Sequence, residues 1–354
     1  MPDRICSSAM QDHLFAIPSE PDGPVRDAPS RAAKSTPKVQ PQVQDPALHA
    51  LRATLGERLW LGTSSWSYPG WGGLVWDGDY AESALSKHGL PAYAEHPLFR
   101  TVSLDRAFYR PLTASQYAGF AHQVPQDFRF VVKAPSLVTD AMVRSETGRG
   151  MQANPAFLSE ALAISEFVQP ALAGLGHKIG ALVFQLSPLP APLLARLPEV
   201  LARLGAMLRA LPPLHGTAPD AVVAVEVRDP AFLTRAFAAV LREAGATYCL
   251  GVHAKMPPVA EQLPMLRALW PGPLVCRWNL NRKHGAYGYE EAGGQYQPFD
   301  RLVDPDPETR AALARVVAGT TGAGQNAYVT VSNQAEGCAP LTVIALAEEI
   351  RARI

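Results

Sequence analysis

Eight times between Arg58 and Ile354 a short apolar, β-branched run is followed by an amphipathic segment of helical length. No other feature of the chain restricts its fold as strongly. The runs are Arg58–Ser64, Arg100–Asp105, Phe128–Lys133, Gly180–Leu186, Ala221–Arg228, Ala246–Val252, Pro273–Trp278 and Ala327–Ser332. The helical segments between and after them are Glu82–His96, Thr113–Gln123, Pro155–Val168, Pro192–Leu211, Ala231–Ala244, Pro258–Trp270, Pro307–Ala318 and Pro340–Ile354. Thr113 and Asn154 stand where side-chain caps belong, and Gly245 where a helix should stop. Continuous valine-rich runs read as strands buried on both faces, which is the habit of parallel sheets. Eight strand-then-helix units in this length predict a closed (β/α)8 TIM-like barrel of the α/β class. An open doubly wound sheet would want a Gly-rich first turn, and the first turn here is Thr63-Ser64-Ser65-Trp66.

Residues 47–354 therefore read as a single barrel domain, opened by a short helix at Ala47–Leu55. Residues 1–46 read as a disordered tail, because eight prolines among Ser, Asp, Gln and Lys leave no apolar period to bury. Lys+Arg and Asp+Glu both number 32, so nothing electrostatic favours nucleic acid or an anionic membrane as partner. No apolar run approaches the roughly 20 residues that span a bilayer. The four cysteines show no C-x-x-C spacing and read as reduced thiols. With no signal-peptide pattern at the start, a cytoplasmic protein is expected.

Helix-to-strand turns are short, whereas three strand-to-helix loops are long: Ser65–Ala81, Ala134–Asn154 and Asn279–Asp306. All three belong to the carboxyl face of the barrel, where such folds place their sites. Strand five ends in Glu226 and Arg228, two residues apart and hence on one side, while Val223, Val225 and Val227 take the other. Other strands also end in polar residues: Ser64, Asp105, Lys133, Gln185, His253, Arg277 with Asn279, and Asn333. Buried charges must be paired, hydrated or bound to a ligand. Arginine forks suit carboxylate or phosphate, so this set predicts a pocket for a small anionic or polyhydroxylated molecule. Trp66, directly after strand one, and Tyr109 and Arg110, after strand two, are added as rim contacts. Trp71 and Trp76 read as rings that fold their own loop. Loop seven, with Arg282, Lys283, His284, Tyr287, Tyr289 and Tyr296, is either a lid or a static surface loop.

Glu226, with Asp105, is the expected general acid or base, while Lys133, Arg228 and Arg277 hold the anion and Gln185 and Asn333 orient it. A non-catalytic sensor or carrier would use the same pocket. A metal-dependent isomerase or phosphodiesterase, with Asp105, Glu226 and His253 converging on a cation, rests on fold analogy alone. No cofactor motif is evident: there is no G-x-S-x-G elbow and no G-x-x-x-x-G-K loop.

On these residues the chain resembles the YecE-like proteins, domain of unknown function 72. G-T-S-S-W-S-Y (Gly62–Tyr68), A-F-Y-R (Ala107–Arg110), F-R-F-V-V-K-A-P (Phe128–Pro135), F-Q-L (Phe184–Leu186), V-E-V-R (Val225–Arg228), Arg277 and S-N-Q-A-E-G-C-A-P (Ser332–Pro340) occur in the family's order. The resemblance implies an eight-fold β/α barrel and a reaction that is not established. It also marks departures. The family's second-strand Glu is replaced by Ser103, with Asp105 in place of an Asn. Two positions usually held by His carry Asp140 and Asn279, and of the eighth-strand F-N-N only Asn333 remains.

Overall fold

The computed structural model describes residues 38–144, 150–285 and 288–354. The disordered-tail expectation for residues 1–37, and Tyr287 of loop seven, fall outside the described residues. Eight parallel strands close into a barrel: β1 Leu59–Thr63, β2 Phe99–Leu104, β3 Arg129–Lys133, β4 Ile179–Gln185, β5 Val222–Glu226, β6 Thr247–Val252, β7 Leu274–Trp278 and β8 Ala327–Val331. Each pairs with its sequence neighbours, and β1 closes on β8 from Leu59↔Ala327 to Thr63↔Val331. Helices fill the outside, as the alternating pattern requires.

Strand parity divides the core in two. Outward residues such as Val102, Val132, Phe184, Val225, Leu250 and Val331 pack against the helices. Inward residues form a separate cluster: Trp60, Val131, Ala181, Val183, Ala224, Cys249, Val275 and Tyr328. Each such fully buried aliphatic or aromatic side chain contributes about 1.5–3 kcal/mol. The inward parity then continues upward into Gln185, Glu226 and Arg277, so the same side of the same strands changes from apolar to charged at the carboxyl end.

Local chemistry explains most boundaries. Thr113 caps the helix Ala114–Ala121 in a capping box with Gln116. Gly245 adopts φ +65 just beyond the helix Arg235–Glu243. Two helices begin later than expected. Asn154 donates to the carbonyls of Leu137 and Asp140 and accepts from Ala156 N, closing a turn, and the helical run starts at Glu160 under a Ser159 cap and continues to Leu175. Asp229 accepts from the Leu189 amide, and Thr234 caps the following helix instead. At Asp229 a tertiary hydrogen bond takes the oxygen that a local cap would use.

Residues 38–45 also differ from the tail reading. Val39 is buried, the Gln42 amide donates to Val75 O at 2.9 Å, and Asp77 N donates to Gln40 O at 3.2 Å. This segment pairs with the loop after β1, because that loop offers backbone groups that nothing else satisfies. The loop after β3 is also structured, with a short helix at Ser136–Thr139 and an antiparallel pair at Met142–Arg144 and Gly150–Ala153.

Candidate functional site in the barrel mouth

The site is built from inward positions at the carboxyl ends of β2 to β7. Gln185 on β4 is in register with Glu226 on β5, and Arg277 on β7 with Gly251 on β6. Gly251 lies between the acid and the base. A Cβ there would stand 3.4 Å from Glu226 Oε1, an ordinary van der Waals contact.

Arg277, 1% exposed, is the hub. Its Nη1 donates to Glu226 Oε2 at 2.7 Å and to Gln185 Oε1 at 3.1 Å, and its Nη2 to Asp105 Oδ2 at 2.6 Å. Glu226, fully buried, meets Arg228 Nη2 through its other oxygen at 2.6 Å. That oxygen also accepts from Asn279 Nδ2 at 3.2 Å. Arg228 Nη2 donates to Gln185 Oε1 as well, at 3.1 Å. Ser103 Oγ donates to Asp105 Oδ1 at 2.6 Å, so the residue standing in place of the family's Glu orients the neighbouring carboxylate.

The electrostatics follow from this geometry. Burial alone would raise the Glu226 carboxyl, but Arg228, Arg277 and Lys133 together outweigh it and hold the group below the usual carboxylate range. Burial disfavours charge on Arg277, yet Asp105 and Glu226 reverse this and raise it. Lys133, half-buried at the end of β3, is lowered to about 7, chiefly by burial; Asp105 and Glu226 oppose the shift while Arg277 and Arg228 add to it. Its Nζ lies 3.5 Å from the centre of the Phe108 ring. Among the described residues no carboxylate comes within ion-pair distance of it. His253 is held neutral, lowered to about 3, first by burial and then by Arg228 and Lys255. Its Nδ1 accepts from the Lys255 amide at 3.0 Å, which places its proton on Nε2.

Several polar atoms in this region are buried without a protein partner: Arg228 Nε and Nη1, Arg277 Nε, Ser64 Oγ and Asn333 Nδ2. Asn333 is otherwise engaged in the fold, its Oδ1 accepting from Trp71 Nε1 at 3.2 Å and from Ala339 N at 2.8 Å.

Three expected rim residues do not join the network. Trp66 turns outward, donating from Nε1 to Leu85 O at 3.1 Å under the Arg106 guanidinium. A ring that large is better buried between strand and helix than at a polar mouth. Tyr109, 44% exposed, and Arg110 sit on the turn after β2. Asp140 lies in the loop after β3, accepting from Met142 N. Asp105 and Glu226 each face a guanidinium, and among the described residues no three His, Cys, Asp or Glu side chains converge.

Two tyrosines were not among the expected site residues. Tyr68 and Tyr289 pack in one cluster over the mouth with Phe299 and Ala254. Burial raises both hydroxyls; Asp105 raises them further, while Arg228 and Arg277 pull Tyr289 back. Tyr68 closes the G-T-S-S-W-S-Y motif, so its signal was present but was assigned to the larger ring beside it. Tyr289 begins the helix Tyr289–Tyr296, which folds loop seven inward. That loop is cross-braced by Lys283–Asp304 at 2.5 Å, His284–Tyr296 at 2.6 Å and Tyr296–Asp304 at 2.7 Å.

Fold and site together define a (β/α)8 barrel protein with a buried network of charged and polar side chains at the carboxyl ends of its strands. The chain belongs to the family described as protein of unknown function DUF72, whose sequence model matches residues 60–354. A solved DUF72 family protein from Enterococcus faecalis is 17% identical, with a TM-score of 0.52 over 82% of this chain and 95% of its own. One from Thermotoga maritima gives 17% identity and a TM-score of 0.52 over 82% and 98%. These likenesses show the shared barrel. No curated protein matches the sequence. Among the described residues no helix is long and apolar enough to cross a membrane.

Proposed function

We propose that this protein binds a small anionic, hydroxyl-bearing molecule in the barrel mouth and acts on it there. The observation that carries this reading is Arg228: one guanidinium nitrogen is tied to Glu226 and Gln185, while Nε and Nη1 have no protein partner. Desolvated N–H groups of a fixed guanidinium cost free energy unless something accepts from them, and a carboxylate or phosphate fits that edge. Arg228 and Arg277 meet two carboxylates, Glu226 and Asp105, and Lys133 adds positive charge whenever it is protonated. Ser64, Gln185 and His253 supply neutral polar groups for hydroxyls.

Glu226 serves this reading as a fixed counter-ion. Both its oxygens are held by arginines and its ionised form is favoured, so it is poorly placed to exchange protons with a substrate. Asp105, 25% exposed, and Lys133 are the better-placed proton carriers. The test is a thermal-shift series on the full chain with phosphate, sugar phosphates, dicarboxylates and 2-oxo acids, repeated on Arg228→Ala. A ligand at 100 times its dissociation constant adds about 2.7 kcal/mol of stability. A stabilising anion that loses its effect in Arg228→Ala supports the reading, and no stabilisation by any anion refutes it. The same pinning of Glu226 favours a second reading, a carrier or sensor, which requires that a stabilising ligand is recovered unchanged after incubation with equimolar protein.

A further inference from the structure

We infer that Lys133 is a nucleophile that forms an imine with the carbonyl group of a small anionic aldehyde, ketone or 2-oxo acid seated against Arg228. This rests on the anion-binding reading of the mouth and adds to it a reacting group and a substrate class. Three observations place it. Lys133 ends β3 on the inward parity, two residues after the interior Val131, so its side chain enters the recess. It lacks the ion pair that its neighbours have. Arg277 takes one oxygen each from Asp105 and Glu226, and Arg228 takes the second oxygen of Glu226. The amine rests against the face of Phe108 at 3.5 Å. That ring favours the ammonium form, whereas burial and the two guanidinium groups favour the free amine. A lysine paired to either carboxylate would be held as ammonium with its lone pair occupied by a proton. One that must present a lone pair is better left unpaired.

The step balances without an outside reagent. The Nζ lone pair attacks the carbonyl carbon, the C–N bond forms, and the carbonyl π pair moves to oxygen. The two protons lost by nitrogen leave with that oxygen as water as the C–O bond breaks. Arg228, with Nε and Nη1 unpartnered among the described residues, holds the carboxylate or phosphate and fixes the carbonyl over Nζ.

The test uses the full chain with pyridoxal 5′-phosphate, pyruvate or uncharged propionaldehyde, trapped with cyanoborohydride and mapped by peptide mass. Lys133 should carry the adduct at least tenfold more than exposed Lys87 or Lys283, with a labelling midpoint near pH 7 and competition by phosphate. Lys133→Arg should lose that adduct while circular dichroism shows it folded. A phosphate-dependent thermal shift with Lys133 unmodified overturns the imine and leaves the anion site standing. Modification of Lys133 equally by propionaldehyde, with no phosphate competition, overturns the anionic substrate class.

Discussion

At the amino end of the barrel, Trp60 and Tyr328 stack at 4.9 Å across the interior, flanked by Arg100 and Arg129. Each ring and each cation there has its partner. Trp60 Nε1 donates to Asp127 O, Tyr328 Oη to Asp220 O, and Arg129 reaches Asp220 at 2.7 Å. Arg100 reaches Glu57 and Asp127, which are 79% and 65% exposed, so its charge is answered from solvent; its Nε alone of these atoms is left without a partner. At the carboxyl end the same inward parity carries Arg228, Arg277, Glu226 and Lys133, with the acids buried or nearly so and donors to spare. One end is a plug that anchors itself outward; the other concentrates charge inward and leaves part of it unanswered. A barrel needs the first for stability. The second costs desolvation that its ion pairs offset in part and that, on the proposed reading, a bound anion offsets further.

That contrast can be broken in a graded way. Glu226→Ala strands two buried guanidinium groups and should cost about 3–5 kcal/mol in chemical denaturation, with any anion-dependent shift lost as well. Trp60→Ala should cost a similar ~3–5 kcal/mol through the cavity it leaves, yet keep the anion-dependent shift. If Trp60→Ala abolished the shift, the two ends would not be independent. Lys133→Met removes a pH effect whose sign is set by its depressed value. The unfolded chain binds the extra proton between about 7 and 10.5, so wild-type stability should rise with pH across that window. The Lys133→Met difference should vanish above it, as urea titrations at several pH values would show. Asp127→Ala, at the amino end, should cost less than about 1 kcal/mol, because it breaks only a solvent-exposed pair.

The barrel was legible because each strand carries its own period and helices carry their own start or stop signals, as at Thr113 and Gly245. The inward charges were legible by parity alone: Glu226 with Arg228, Arg277 with Asn279. Trp66 was misplaced because residues immediately after a strand can point either way, and only packing against Leu85 and Phe120 chose the helix layer. Tyr289 was hidden because its loop's return path depends on packing in one cluster with Tyr68, far away in sequence.

Order, closure and the list of polar strand ends are thus properties of the sequence, since hydrophobic period and strand parity are local. The pairing itself was decided only by the closed barrel. Arg277 could have neutralised Arg228's partner, Asp105 or both. The closed barrel gave it both, and among the described residues no carboxylate lies within ion-pair distance of Lys133. Charge pairing is a distance-dependent competition among side chains remote in the chain, and no local pattern contains those distances.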